Sequence, residues 1–262
     1  MKKIIKSNTI LDEPLEKREL EKAISEKEKK LNALIEEVGQ LKIDLTIVKQ
    51  EYDVKVGRLY LKLDELDLEI LKFKKIEDLI NKGFSFEEAQ KIVEETLKKR
   101  REQIKEEYKK LDEEEEEIES RKGISDEEKE ELKKLWYKLA HKFHPDKTNG
   151  NEEMMKKINK AYAKGDLEAL RAIDQGEMGD DIEVKTIEAL KNKLARLEKS
   201  IKKISQEFEQ LRHSEWYILR ENIEKAKKQK RDILGELADK VLTDIAKKEN
   251  QVGDLKKKYG QR

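Results

Sequence analysis

Eight apolar residues fall seven apart along one stretch of the chain: Ile24, Leu31, Val38, Leu45, Tyr52, Leu59, Leu66 and Phe73. A repeat of seven leaves little choice of fold. It lays one apolar seam along a helix, and that seam must be buried against another helix. A second seam position runs through Leu20, Leu34, Leu41 and Val48, then moves to Val56, Leu63 and Ile70. The two successive steps of four, Val48 to Tyr52 to Val56, read as a stutter that locally unwinds the supercoil. A helix over residues 15–80 would be on the order of 100 Å long. Gly39 and Gly57 each weaken it by about 1 kcal/mol relative to alanine, and the seam should outweigh that.

Composition agrees with long helices. Of 262 residues, 46% are charged and 35% hydrophobic, which is too little apolar material for one large core. Lysine and arginine number 60, as do aspartate and glutamate. The zero net charge and the periodic apolar residues argue against disorder. They also leave no global field to draw the chain to nucleic acid or to a membrane. No cysteine is present, which excludes disulfides, thiolate metal sites and a cysteine nucleophile. The start, MKKIIKSNTI, is too short and broken for a signal peptide, and no run approaches membrane-spanning length. The expectation is an all-α cytoplasmic protein.

Punctuation divides the rest. Gly83 reads as a helix stop, and Ser85 with Glu88 as a capping box that opens a helix to about Ser120. Two geometries compete for the first helix: an antiparallel hairpin with this one, or parallel self-association into a homodimer. The acidic tract Asp112–Glu117 reads as a solvated face. Ser125 and Glu128 form a second capping box, and Gly165 and Asp166 a stop and a new N-cap. From Ile187 the heptad returns through Leu190, Leu194, Leu197, Ile201, Ile204, Phe208 and Leu211, and loses phase across His213–Leu219. A hairpin turning near Ser214 and a continuous helix with a skip both fit. The basic tail is expected to fray. The expected order is an N-terminal tail (1–14), a coiled-coil helical hairpin (15–120), a small helical module (124–174), a linker (175–181) and a C-terminal coiled coil (182–262).

The small module carries the densest signal. Leu132, Leu135, Trp136, Leu139 and Phe143 make one apolar stripe, and Met154, Met155, Ile158, Ala161 and Tyr162 make another. Two short helices with such stripes pack as an antiparallel pair, and Leu167, Leu170 and Ile173 could cover the open side. Between the helices lies His144-Pro145-Asp146. Proline fixes its own φ and disfavours helix at the residue before it, so His144 is expected in extended geometry at an exposed turn. Lys133, Lys134, Lys138, Lys142 and Lys147 present a positive face ending there. Each feature alone has an ordinary reason: lysines complement a helix C-terminus, proline stops helices, aspartate favours turns. Together they form a basic, proline-stiffened corner suited to contact with another protein.

Residues 125–173 resemble a J domain, the DnaJ-type module that stimulates the ATPase of DnaK-type heat-shock chaperones. His144-Pro145-Asp146 matches the family's signature tripeptide, LWYKLAHKFHPDK its second helix and MMKKINKAY its third. The resemblance implies a co-chaperone in which His144, Pro145 and Asp146 activate the partner ATPase. Lys133, Lys134, Lys138, Lys142 and Lys147 would steer and position the docking. The coiled coils would serve dimerisation, or client or site targeting. The chain departs from the family pattern in lacking the aromatic pair and Leu-Gly-Val of a first helix upstream of Ser125. Either the end of the 86–120 helix takes that packing role, or the first helix is missing. The alternative function is a structural coiled-coil scaffold with an inert J-like hairpin.

No enzyme chemistry is expected. There is no glycine-rich phosphate loop and no serine–histidine arrangement for a nucleophile. His141 and His144 have a spacing that can bind metal, but no further ligand completes a set, so neither metal nor cofactor is expected. Poor aromatic interleaving and intermixed acidic residues argue against nucleic acid.

Overall fold

The computed structural model describes residues 9–144, 152–176 and 186–259. The fold is all-α, with no strand among those residues. In chain order the helices are α1 (Thr9–Tyr52), α2 (Arg58–Asn81), α3 (Phe86–Lys122), α4 (Asp126–Phe143), α5 (Glu152–Lys164), α6 (Leu167–Gly176), α7 (Ile187–Arg212), α8 (Glu215–Lys228) and α9 (Ile233–Tyr259). A π-helical segment, Asp53–Gly57, separates α1 from α2. It falls on the stutter: the wider π turn takes up the extra residues that the two steps of four insert.

Two compact units form, and they cut across the serial division read from the sequence. The first holds residues 1–45 and 123–217, the second 46–122 and 218–262. The heptad helix therefore does not belong to one hairpin, because its first half groups with the small module.

In the first unit, α1 and α7 are joined by ion pairs. Glu16 meets Lys191 at 2.7 Å, Lys27 meets Glu198 at 3.0 Å and Lys42 meets Glu207 at 2.8 Å. The partners rise together along both helices, so α1 and α7 run parallel. Ile24, Leu31, Val38 and Leu45 of the first seam are buried, as are Leu190, Ile201 and Ile204 of α7. The two heptad stretches thus meet within one chain. The expected hairpin with the 86–120 helix does not describe this part of α1. Ile35 and Ile43, outside both seams, are buried too, so α1 has a second covered face here.

In the second unit, α2 packs against α3 and α9. Asp64 pairs with Arg100 at 2.6 Å and Lys72 with Glu94 at 3.0 Å, which sets α2 and α3 antiparallel. The turn between them is built as read: Gly83 has φ 94°, and the Ser85 and Glu88 side chains bond each other's backbone N–H groups. The expected hairpin is thus realised by the second half of the heptad stretch. Glu77 pairs with Lys258 at 2.9 Å and Asp67 with Lys248, so α9 runs parallel to α2. Val56, Leu66, Ile70, Ile223, Leu234, Ala238, Val241, Ile245 and Val252 form the core. Gln50, 7% exposed, donates to Glu117 at 2.9 Å and accepts from Arg121. Asp112 and Glu115 both hold Arg58 at 2.9 Å, so the acidic tract is partly an ion-pairing face rather than a purely solvated one.

The C-terminal region breaks twice. The chain leaves helix at His213, and the Ser214 hydroxyl accepts from the Tyr217 N–H, so the continuous-helix alternative fails. A second break follows α8, where Lys230 adopts a left-handed φ of 58° and the Asp232 carboxylate caps Gly235. The expected fraying stops short of Tyr259. Its ring is 4% exposed and stacks on Phe73 at 5.6 Å and on Phe86 at 6.4 Å. The ring joins α9 to the α2–α3 turn. Tyr259→Ala should lower unfolding stability by about 3 kcal/mol in urea titration, and Tyr259→Phe, which keeps the ring, by less than about 1 kcal/mol.

Candidate partner-docking site

The module around His144 is built from both ends of α4. At its start the Ser125 hydroxyl accepts from the Glu128 N–H at 3.2 Å, and the Glu128 carboxylate accepts from the Ser125 N–H at 2.9 Å. The Ser125 N–H and, at 2.9 Å, the Ser125 hydroxyl both donate to that carboxylate, which favours its ionised form and holds it below its usual range. At its end His144 has φ −62° and ψ 131°, the extended geometry expected before proline. The side chain of His144 is half-buried. Pro145, Asp146 and Lys147 lie outside the described residues.

The apolar stripes meet as read. Leu132, Trp136, Leu139, Ala140 and Phe143 of α4 are buried, with Ile158 and Ala161 of α5 and Leu170 of α6. All three helices pack on one another. Leu135, Met154, Met155, Tyr162, Leu167 and Ile173 are half-buried at the margin. Trp136 is 1% exposed and donates its indole N–H to Asn159 Oδ1 at 2.9 Å, which satisfies the polar atom that makes buried tryptophan costly. Tyr162 packs 5.7 Å from the indole. Burial raises the Tyr162 phenol above its ordinary value, and the nearby Gln40 amide offsets part of that rise.

What covers the Trp136 face is α1. A Cβ placed on Gly39 would sit 2.0 Å from Cη2 of the indole and 2.6 Å from Cζ2, so the ring lies directly on the helix backbone. Glu36, one turn earlier, places Oε1 2.8 Å from His141 Nε2, close enough for an ion pair although not aligned as a hydrogen bond. The sequence reading offered the end of the 86–120 helix or no helix at all for this role. Both are corrected: α1 supplies the contact. Gly39 looked like a tolerated weakness, and a mid-helix glycine beside a buried seam was the one available signal. Asn159 carried no signal in the sequence.

The lysines of α4 are placed as a cationic face, each with company. Lys133 lies 5.7 Å from the Tyr137 ring centre and Lys142 lies 5.0 Å from that of Phe143. Lys134 pairs with Glu130 at 3.4 Å, and Lys138 reaches Asp174 on α6 at 2.7 Å. Arg171 of α6 holds Glu131 through Nε at 3.0 Å and Nη2 at 2.6 Å, a second tie across the same helices. Exposed pairs of this kind are worth about 0–1 kcal/mol, so an acidic partner surface can exchange them. No group of three or more His, Cys, Asp or Glu side chains able to hold a metal occurs among the described residues. No helix among them is long and apolar enough to cross a membrane.

Residues 123–164 match the DnaJ domain family. The match opens two residues before the Ser125 cap and closes where α5 ends, so α6 falls outside it. No curated protein and no solved structure matches the chain.

Gly39 yields a sharp expectation. In an ordinary helix Gly→Ala stabilises by about 1 kcal/mol. Here the ring is hydrogen-bonded and enclosed, so overpacking should cost about 1–3 kcal/mol and reverse the sign. Gly39→Ala should lower the thermal midpoint and alter the near-ultraviolet circular dichroism. A higher midpoint would contradict the contact.

Proposed function

Because the chain carries a DnaJ domain over residues 123–164, we propose that it is a non-enzymatic co-chaperone that binds a DnaK-type heat-shock chaperone and stimulates its ATPase. The observation that carries this reading is the DnaJ match coinciding with a cationic helix that ends in extended backbone at His144. The corner His144-Pro145-Asp146 is the activating element, and Lys133, Lys134, Lys138, Lys142 and Lys147 steer and seat it. A ligand shifts a conformational equilibrium only through unequal affinity for the two states, so the corner must bind better to the ATP-hydrolysing state. Charged contacts across such an interface speed encounter and fix register more than they add affinity. The coiled-coil elements serve to present the module at a client or a cellular site, or to dimerise the protein, in the cytoplasm.

A second reading is a structural scaffold in which the hairpin is inert. The ion pairs that occupy Lys134 and Lys138 favour it. The two readings separate in single-turnover ATP hydrolysis by a DnaK-type chaperone. Co-chaperone action predicts stimulation by the wild type and a loss of at least about tenfold for Asp146→Asn and for His144→Gln, a difference of ~1.4 kcal/mol in barrier. Absence of stimulation favours the scaffold, and stimulation by both variants equal to the wild type removes the corner from the activating role. Lys138→Ala and Lys142→Ala should weaken the interaction mainly at low salt, as screening removes their long-range contribution.

A further inference from the structure

We propose that a cavity in the second unit is a docking site for an acidic peptide segment bearing bulky apolar side chains. The cavity, about 350 Å³, sits where the π-helical segment meets the turn between α8 and α9. Ligand-binding clefts commonly begin at this size. Its floor is aliphatic: Val54, Ile118, Ile223 and Leu234 line it. Its rim carries Lys55, Lys227 and Arg231, with Glu51 and Asp232 as the acidic members. π-helical turns are uncommon and often mark functional positions, and this one contributes both Val54 and Lys55.

Charge selects the occupant. From Lys225 to Arg231 the chain reads KAKKQKR, with five exposed cations and no acidic residue, and Lys227 and Arg231 of that run line the cavity. The Lys227 ammonium is in no ion pair among the described residues. Lys55 pairs with Asp232, and Arg231 holds Glu236 at 2.6 Å, but both pairs are exposed. Exposed pairs contribute about 0–1 kcal/mol, so incoming carboxylates can replace them. Three cations at the rim, Lys55, Lys227 and Arg231, suit a ligand whose negative charge repeats, as it does in a peptide with several aspartates and glutamates. A lone fatty carboxylate would use only one of them. No aromatic ring lines the cavity, so unpaired bases would find nothing to stack on. Aliphatic floor plus cationic rim therefore matches an apolar anchor flanked by carboxylates.

The site lies outside residues 123–164, so it stands or falls independently of chaperone stimulation. The test uses the full chain and a short fluorescein-labelled peptide in which aspartates and glutamates flank one phenylalanine and one leucine. Anisotropy should rise to saturation. Affinity should fall at least about tenfold when the peptide's two apolar residues become alanine, and similarly for the Lys227→Glu protein. Raising salt should weaken binding. The peptide arms leave the protein unaltered, so they report even if a variant misfolds. Absence of saturable binding, equal binding of the alanine peptide, or indifference to the charge reversal overturns the proposal. Preference for phosphatidylserine vesicles or single-stranded DNA over the peptide also overturns it.

Discussion

The structure rests on an indole ring lying on a bare stretch of helix backbone. Trp136 can occupy its place because residue 39 has no Cβ. The ring is held from the other side by Asn159, and it fills the space that α4 and α5 leave open. A module this small has too little apolar surface to stand easily alone. The long helix α1 supplies the missing wall. That same helix is ion-paired to α7 between Glu16 and Lys42, so the heptad helices and the small module belong to one compact unit. Glycine costs α1 some local stability, and the buried ring offsets it.

This arrangement gives the heptad helix α1 a second role. A heptad seam only needs a partner helix, yet α1 buries two faces between residues 31 and 45. One face carries the seam. The other carries Glu36 and Gly39, which reach His141 and Trp136. His144 lies one turn beyond His141, so the end of α4 lies beside α1. The end of α4 is therefore packed by α1 as well as by α5 and α6.

Local chemistry was legible in the sequence, and partner choice was not. Ser125 with Glu128, Ser85 with Glu88, Gly83, and Gly165 with Asp166 act through neighbours a few residues away, and each sits where it was expected. The stutter at Val48–Val56 was readable as unwinding, and it appears as the π turn. A seam, however, states only that burial must occur. It could not tell α7 from a second copy or from the 86–120 helix, because all three offer leucine and isoleucine at the same spacing. The break at Lys230 went unread because lysine gives no sign of a left-handed turn. Tyr259 went unread because its three preceding lysines suggested a solvated end, whereas a single aromatic ring outweighed them. The compact units cut across the serial order for a related reason: one helix of forty-odd residues contributes to both. At the end of α4 the residue types and spacing were legible, and the extended His144 followed from the proline rule.

The central claim is that α1 completes the DnaJ module through Gly39. Residue-resolved amide exchange on the wild type and on Gly39→Leu tests it most directly, since leucine keeps α1 helical while displacing the ring. The account predicts that protection in α4 and α5 falls by at least about tenfold, ~1.4 kcal/mol of opening free energy, while α2, α3 and α9 stay as protected as before. Unchanged protection in α4 and α5 would contradict it.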